Sequence, residues 1–407
     1  MDMFLTLRGH LSAAPHRGLF LVGALQGVLI VLWWIFDLIG RYGIAGSMTN
    51  WSIAPTWAHV FLMIYGFFPF FIFGFLFTTY PNWMNGEKIK PHEYIATCVL
   101  MTIGVVMFYA GMMTHKVISI VGVELMLVGW GVAVYVLFRI LLTTPAQDKR
   151  HPWVAGIALL IGWLGIAAYL VWLVTDVPMA IDFARYAGLW FFLLPIVLTV
   201  SHRMIPFFSS RVLDNYEIVR PFWILWLMLA CIAAHGSLQW FELSMYQWVA
   251  DFPLMICALY LSYRWGFHRS FKVSLLAVLH ISFAWLSIAM LLYAVQSLVY
   301  FSSGDLILGL APLHALGIGF FSGMILAMAS RVTLGHSGRP LELDRFTWVL
   351  FLGFQATAVL RVLSDIVLPI APILYVAAAF VWLICFGLWA IKFAPIYWRQ
   401  RVDGKSG

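Results

Sequence analysis

Twelve apolar runs, found with a window of about 19 residues, constrain this chain more than any motif in it. They fall near 19–39, 57–79, 94–113, 117–138, 153–174, 184–202, 222–240, 246–263, 273–299, 306–329, 346–369 and 371–393. A helix rises 1.5 Å per residue, so about 20 residues cross a hydrocarbon core of roughly 30 Å. Composition agrees: of 407 residues, 63% are hydrophobic and only 10% charged, more apolar surface than a soluble domain of this size can bury. The expected fold is all-α, a polytopic membrane protein of about twelve transmembrane helices forming a single membrane domain over 1–407. The tightest connections fall at Thr114-His115-Lys116 and at Pro369 to Pro372.

The 24 basic residues outnumber the 17 acidic ones, a balance that in a soluble chain would suggest nucleic acid. Here it has a membrane explanation. With a cytoplasmic N-terminus, twenty basic residues fall on the inner side. Only Arg41, Lys116, Arg185 and Arg361 fall on the other. This is the positive-inside pattern, and it places both termini in the cytoplasm. The outer side instead carries acids, from Asp37 and Asp176 to Asp305 and Asp365. No nucleic-acid partner is expected. Cys98, Cys231, Cys257 and Cys385 all lie in apolar runs without a CxxC spacing, so they read as small buried hydrophobes. The segment from Met1 to Gly18 leads into a long apolar run without a cleavage pattern, as a retained first helix does.

A faint repeat runs through the helices. The second, sixth and tenth each head inward and end in a polar or basic stretch: Tyr80 to Gly86, Ser201 to Phe208, and Ser330 to His336. Proline recurs in two of them, Pro69 with Pro81 and Pro195 with Pro206. A period of four helices, three times over, suggests three arcs of four.

Topology sorts the twelve histidines. His10, His16, His92, His151, His268 and His336 take exposed or loop positions, and His115 and His202 take helix ends. Inside spans lie His59, His235, His280 and His314. His59 enters the second helix by about one turn. His314 lies about 12 Å into the tenth span counted from Leu306, and His235 about 8 Å from the outer end of the seventh. Matching depth on separate helices suits a bundle-core site, and imidazole ligates haem iron, copper and zinc alike. His280 enters from the other side and reaches mid-membrane, either near the same pocket or at a separate one. Gly66 follows His59 by seven residues and Gly317 follows His314 by three, leaving room for a broad flat group. Glycine also lets helices pack closely, and a polar contact between helices is the competing role for each histidine.

Glu124 stands alone in the fourth helix, either a proton relay or half of an ion pair. Asp251 lies nearer the outer interface, as does the pair Arg361 and Asp365, which reads as structural. The stretches Ser201 to Pro206 and Arg331 to Pro340 invite a phosphate-binding reading through Arg, Ser and Gly. An interfacial anchor with turn residues explains them as well. No phosphate-binding loop, zinc-protease motif or nucleophile elbow is evident.

His59 through Met63, Tyr65-Gly66-Phe67, Gly74-Phe75-Leu76 and Tyr80-Pro81-Asn82-Trp83 resemble the second-helix signature of the NnrS family. So does the later series His314-Ala315-Leu316, Met324 to Met328, and Arg331-Val332-Thr333-Leu334-Gly335-His336-Ser337-Gly338-Arg339-Pro340-Leu341. The resemblance implies a haem- and copper-containing protein of the bacterial inner (plasma) membrane, linked to nitric oxide metabolism and denitrification. In the family form the second helix begins with two histidines one residue apart, then an acid. Here His59 takes the first position, and Val60, Phe61 and Leu62 follow. A more distant likeness is to haem–copper oxidases and nitric oxide reductases, whose twelve helices form three arcs. Their metal-binding histidines sit on the second, sixth, seventh and tenth helices, the ordinals that carry His59, His202, His235 and His314 here.

Together these imply haem b held between the second and tenth helices by His59 and His314, with Gly66 and Gly317 beside it. Copper or a second haem would use His235 and His280. Such a protein would bind nitric oxide and protect against nitrosative stress. If it also reduces nitric oxide to nitrous oxide, it is an oxidoreductase with Glu124 a candidate proton relay and an unknown electron donor. Membrane lipids are the other expected partners. The alternative is a cofactor-free transporter or channel for a small solute or metal.

Overall fold

The computed structural model describes residues 9–43 and 50–404. Arg8 and Lys405, counted on the basic side above, lie outside the described residues. The helices begin with α1 (Pro15–Arg41), α2 (Pro55–Met84), α3 (Pro91–Met113), α4 (Lys116–Thr143), α5 (Arg150–Thr175) and α6 (Pro178–Ser209). They continue as α7 (Phe222–Trp240), α8 (Trp248–Arg264), α9 (Ser274–Ser303), α10 (Ala311–His336), α11 (Arg345–Leu363) and α12 (Leu368–Tyr397). No strand occurs among the described residues. Eleven of these helices are long and apolar enough to cross a membrane. The eighth expected span forms a helix of 17 residues, at the short end of what a bilayer requires.

Local chemistry sets many of the ends. Proline opens α1, α2, α3 and α6, where its missing N–H falls among donors that a helix leaves unpaired anyway. Asp344 caps α11 by accepting the Thr347 N–H at 2.9 Å. The Glu93 carboxylate accepts the Lys90 N–H at 3.0 Å to close the first turn of α3. Gly304 ends α9 in the left-handed region, with φ of 80°. The short connections expected near His115 and Pro369 are real. One joins Met113 to Lys116, and the other holds the short turn Leu368–Ile370.

The stretches after α2, α6 and α10 differ from expectation. They read as polar loops but are helical as far as Met84, Ser209 and His336. Hydropathy falls at these residues while the backbone ladder continues. Their hydroxyls return to the carbonyl one turn back: Ser201 to Val197 at 2.6 Å and Ser330 to Leu326 at 2.8 Å. The start of α10 differs as well. Leu306 to Leu310 are apolar but not helical, because Gly309 turns the chain at φ 49° and Pro312 sits in the first turn.

Contacts group the chain into two compact units. The first holds Met1–Phe192, Val332–Pro340 and Ala390–Gly407, and the second Leu193–Arg331 and Leu341–Trp389. In the first, α3 and α4 approach to backbone contact. A Cβ on Gly104 would lie 2.5 Å from the Gly122 carbonyl oxygen, and one on Gly122 would lie 2.6 Å from that of Gly104. Phe61 packs between Phe108 and Tyr169, with ring centroids 4.5 and 4.4 Å away. The Trp130 indole donates to the Leu159 carbonyl at 3.0 Å, as a polar tip in an apolar interior must. At the basic end of this unit the Arg17 guanidinium donates to the carbonyls of His10, Tyr397 and Arg399. In the second unit the Trp389 indole donates to Ser330 at 2.8 Å, and the Trp285 indole to Gln355 at 2.7 Å.

Candidate functional site

The second unit carries three of the four intramembrane histidines. His235, on α7, is fully buried. Its Nδ1 lies 2.6 Å from Oδ1 of Asp251 on α8, also fully buried, and its Nε2 lies 3.1 Å from the Gln247 amide nitrogen. An amide nitrogen donates, so Nε2 accepts and the ring proton sits on Nδ1, directed at the carboxylate. Tyr293 of α9 meets the ring edge-on, with centroids 4.9 Å apart. An imidazole oriented by a buried carboxylate is how proteins prepare a histidine for a metal. Sequence reasoning missed this pairing: Asp251 lies 16 residues from His235, on another helix.

His280 is also buried, and its Nε2 lies 3.2 Å from the Ser209 hydroxyl at the end of α6. His280 and Tyr293 are both on α9, 13 residues apart, or about 20 Å along the helix. Since Tyr293 marks the level of His235, the two histidines serve different places.

His314 lies in the first turn of α10, since the helix starts at Ala311. It is therefore nearer the helix end than a count from Leu306 predicts. Its Nδ1 lies 2.9 Å from the Leu310 carbonyl, which can only accept, so the ring proton is on Nδ1 and Nε2 carries the lone pair. The next turns, Ala315–Ser322, form a π-helix, a feature common at functional sites. Within it the two glycines differ. A Cβ on Gly319 would lie 2.3 Å from the Trp285 ring, whereas one on Gly317 would meet nothing within 4 Å. Gly319 packs against a neighbour and Gly317 borders open space.

In the first unit, His59 is half-buried on α2, its ring stacked on Trp34 at 4.1 Å and 19°. The helix breaks after Ile64 and resumes at Phe68, so the seven-residue spacing to Gly66 does not run along one continuous face. The Pro69 ring has no N–H for the carbonyl four residues back, and the Gly66 N–H turns to Phe61 at 3.1 Å. A Cβ on Gly66 would lie 2.9 Å from the Leu62 carbonyl oxygen, so this glycine serves the break itself.

Other residues fall elsewhere. Glu124 lies on the exposed face of α4, with no ion-pair or hydrogen-bond partner among the described residues. Arg361 and Asp365 pair at 2.7 Å, and the Tyr375 hydroxyl donates to the same carboxylate. His202 is buried beside Phe222 and Trp265. His16 and His151, placed above in exposed or loop positions, are 3% and 1% exposed because each sits in the first turn of a packed helix. His16 meets His336 with ring centroids 4.8 Å apart.

Among the described residues, no three His, Cys, Asp or Glu side chains come together to hold a metal ion. A copper cage of several protein ligands does not fit this arrangement. Haem asks for fewer protein donors, one or two imidazoles, a number that single histidines such as His314 and His59 can meet. Outside its own sequence, the chain matches the family described as NnrS protein, over residues 10–401. The chain belongs to the NnrS family. That NnrS match covers nearly every helix described above, and it supports a role in nitric oxide metabolism. The NnrS family is associated with haem and copper. No curated protein matches the chain.

Proposed function

We propose that this NnrS protein binds haem b and, through it, nitric oxide, protecting a bacterial cell from nitrosative stress. It would lie in the inner (plasma) membrane with both termini cytoplasmic, the orientation that the placement of its basic residues favours. The observation that carries the site is at His314: Nδ1–H is tied to the Leu310 carbonyl, Nε2 holds the ring's lone pair, and Gly317 borders open space three residues on. That is the tautomer in which His314 would hold the haem iron through Nε2. His59, flat against Trp34, is the second candidate ligand. When bound, haem supplies the iron that takes up nitric oxide. The chain's own part is to fix the imidazole and keep the pocket apolar. If the protein also turned nitric oxide over, two molecules of it with two electrons from a donor and two protons would give nitrous oxide and water. Copper receives no step here, because the donor set does not assemble. His235, with Nδ1 on Asp251 and Nε2 accepting from Gln247, would have to give up the Gln247 contact before it could hold a metal.

Spectra of the purified protein test this, as reduced minus oxidised, with metal analysis, before and after nitric oxide. A haem spectrum that shifts with nitric oxide and is lost in His314→Ala is the expected result. An unchanged spectrum in His314→Ala removes the ligand assignment. Colourless wild-type protein removes haem altogether and leaves a cofactor-free transporter.

A further inference from the structure

Arg331 presents a problem that the nitric oxide reading does not address. It sits on α10, 6% exposed, with its guanidinium 3.9 Å from the centroid of the Phe208 ring. Among the described residues, no hydrogen bond and no ion pair reaches it. Arg17 shows what this fold does with a buried arginine it needs for structure: its donors go to three backbone carbonyls. Arg331 has only an aromatic face. A cation–π contact recovers part of the hydration a buried guanidinium loses and leaves its donors unused.

The surroundings in this unit are polar and lack an acid to pair with it. Ser209 follows Phe208 at the end of α6, its hydroxyl 3.2 Å from His280 Nε2. The Tyr216 hydroxyl approaches Ser209, is buried, and has no hydrogen-bond partner at ordinary distance. Arg269 stands 6.0 Å from the Tyr216 ring centroid, and Arg211 lies 5.1 Å from that of Phe207. Asp214 and Glu217, in the loop after α6, are exposed and make no ion pair with Arg331. The Asp344 carboxylate is engaged in capping α11. Arg331 lies five residues before the end of α10, about 7.5 Å along the axis.

We propose that Arg331, supported by Phe208, binds a phosphate-type oxyanion. A planar guanidinium takes two oxygens of such a group at once. The phosphodiester of an anionic lipid and free inorganic phosphate share this chemistry. The inference does not depend on haem.

The experiment uses delipidated full-length protein in detergent, with short-chain phosphatidylglycerol as probe and inorganic phosphate as competitor, read by native mass spectrometry. Wild-type protein is expected to retain the lipid, Arg331→Gln to bind it at least tenfold more weakly, and Arg331→Lys to fall between. Displacement by phosphate shows that the site takes the oxyanion from either source, and retention against phosphate shows a lipid site. Equal lipid binding by wild type and Arg331→Gln, or none by wild type, overturns the proposal. Should Arg331→Gln not fold, Phe208→Leu keeps the arginine and removes the aromatic face it rests on. That variant must bind severalfold more weakly, and unchanged affinity overturns the proposal equally.

Discussion

A single carboxylate oxygen decides how His235 stands. Asp251 accepts its Nδ1–H at 2.6 Å in a place with no access to water, so the two groups act as a unit. Asp251→Leu leaves the imidazole donor unpaired in an apolar interior. That costs about 2–4 kcal/mol, readable as a lower midpoint in thermal unfolding in detergent. Asp251→Asn keeps an acceptor and is expected to lose less, and His235→Leu/Asp251→Leu less than Asp251→Leu alone. Equal losses in all three would show that the pair is not the stabilising unit. At the surface the same chemistry is weak. The Arg150 guanidinium holds the Asp148 carboxyl at about 2, below its usual range. A depressed carboxylate contributes stability above its ordinary pKa, near 4, and that stability is lost as pH falls through about 2. Both side chains are nearly half exposed, so solvent screens the pair. Asp148→Asn should lower the melting temperature slightly at pH 6 and not at all at pH 2. Neither residue-level pairing was legible in the sequence. Periodicity orders residues along one helix, whereas His235 meets Asp251 across two. The exposure of Glu124 was hidden for a related reason: α4 is apolar on every side, so hydropathy does not tell its lipid face from its packed face.

The helices themselves were largely legible, because a bilayer demands length and apolarity and eleven described helices supply both, with the 17-residue α8 at the short end. Their interruptions were less so. The second, sixth and tenth helices, grouped above by their polar ends, stand apart for other reasons. They are the most buried spans, at 83%, 72% and 78%, against 67% for the next. Each also departs from the regular ladder: a break before Phe68, a π-helix at Ala187–Leu193, and a π-helix at Ala315–Ser322. Proline announced part of this. Pro69 follows the first break, and Pro195 follows the first π-helix. In α10 the Ser322 hydroxyl donates to the Gly317 carbonyl five residues back, a contact no composition rule foretells. The two glycines of that π-helix give a paired prediction. Gly319→Ala drives a methyl into the Trp285 ring and should lower stability by about 1–3 kcal/mol in denaturant unfolding. Gly317→Ala meets nothing and should unfold as wild type, while Gly317→Phe should fold and lose the haem spectrum. If Gly317→Phe kept that spectrum, the open space beside His314 would not be a cofactor pocket.

At the scale of the whole chain, the distribution of charge carries the orientation. Twenty basic residues on one side against four on the other is what twelve alternating spans would give, and one wrongly assigned span would mix them. The structure gives the elements on which that count depends, including α8 with its 17 residues. Labelling would read the orientation directly. Cys231, Cys257 and Cys385 are buried and Cys98 partly so, which makes their replacement by alanine or serine a reasonable background. In that background Asp305→Cys and Asp176→Cys, both at exposed positions, should react with a membrane-impermeant maleimide on intact spheroplasts. Lys272→Cys and Lys88→Cys should react only after permeabilisation. The reverse pattern would invert the protein and move His314 and His59 to the cytoplasmic half. Nitric oxide crosses lipid freely, but protons do not. The side on which the imidazoles lie therefore decides which compartment supplies the protons for any reduction. Reaction at all four sites without permeabilisation would show an odd number of spans misread between each neighbouring pair, and with it would overturn the alternation on which the charge count rests.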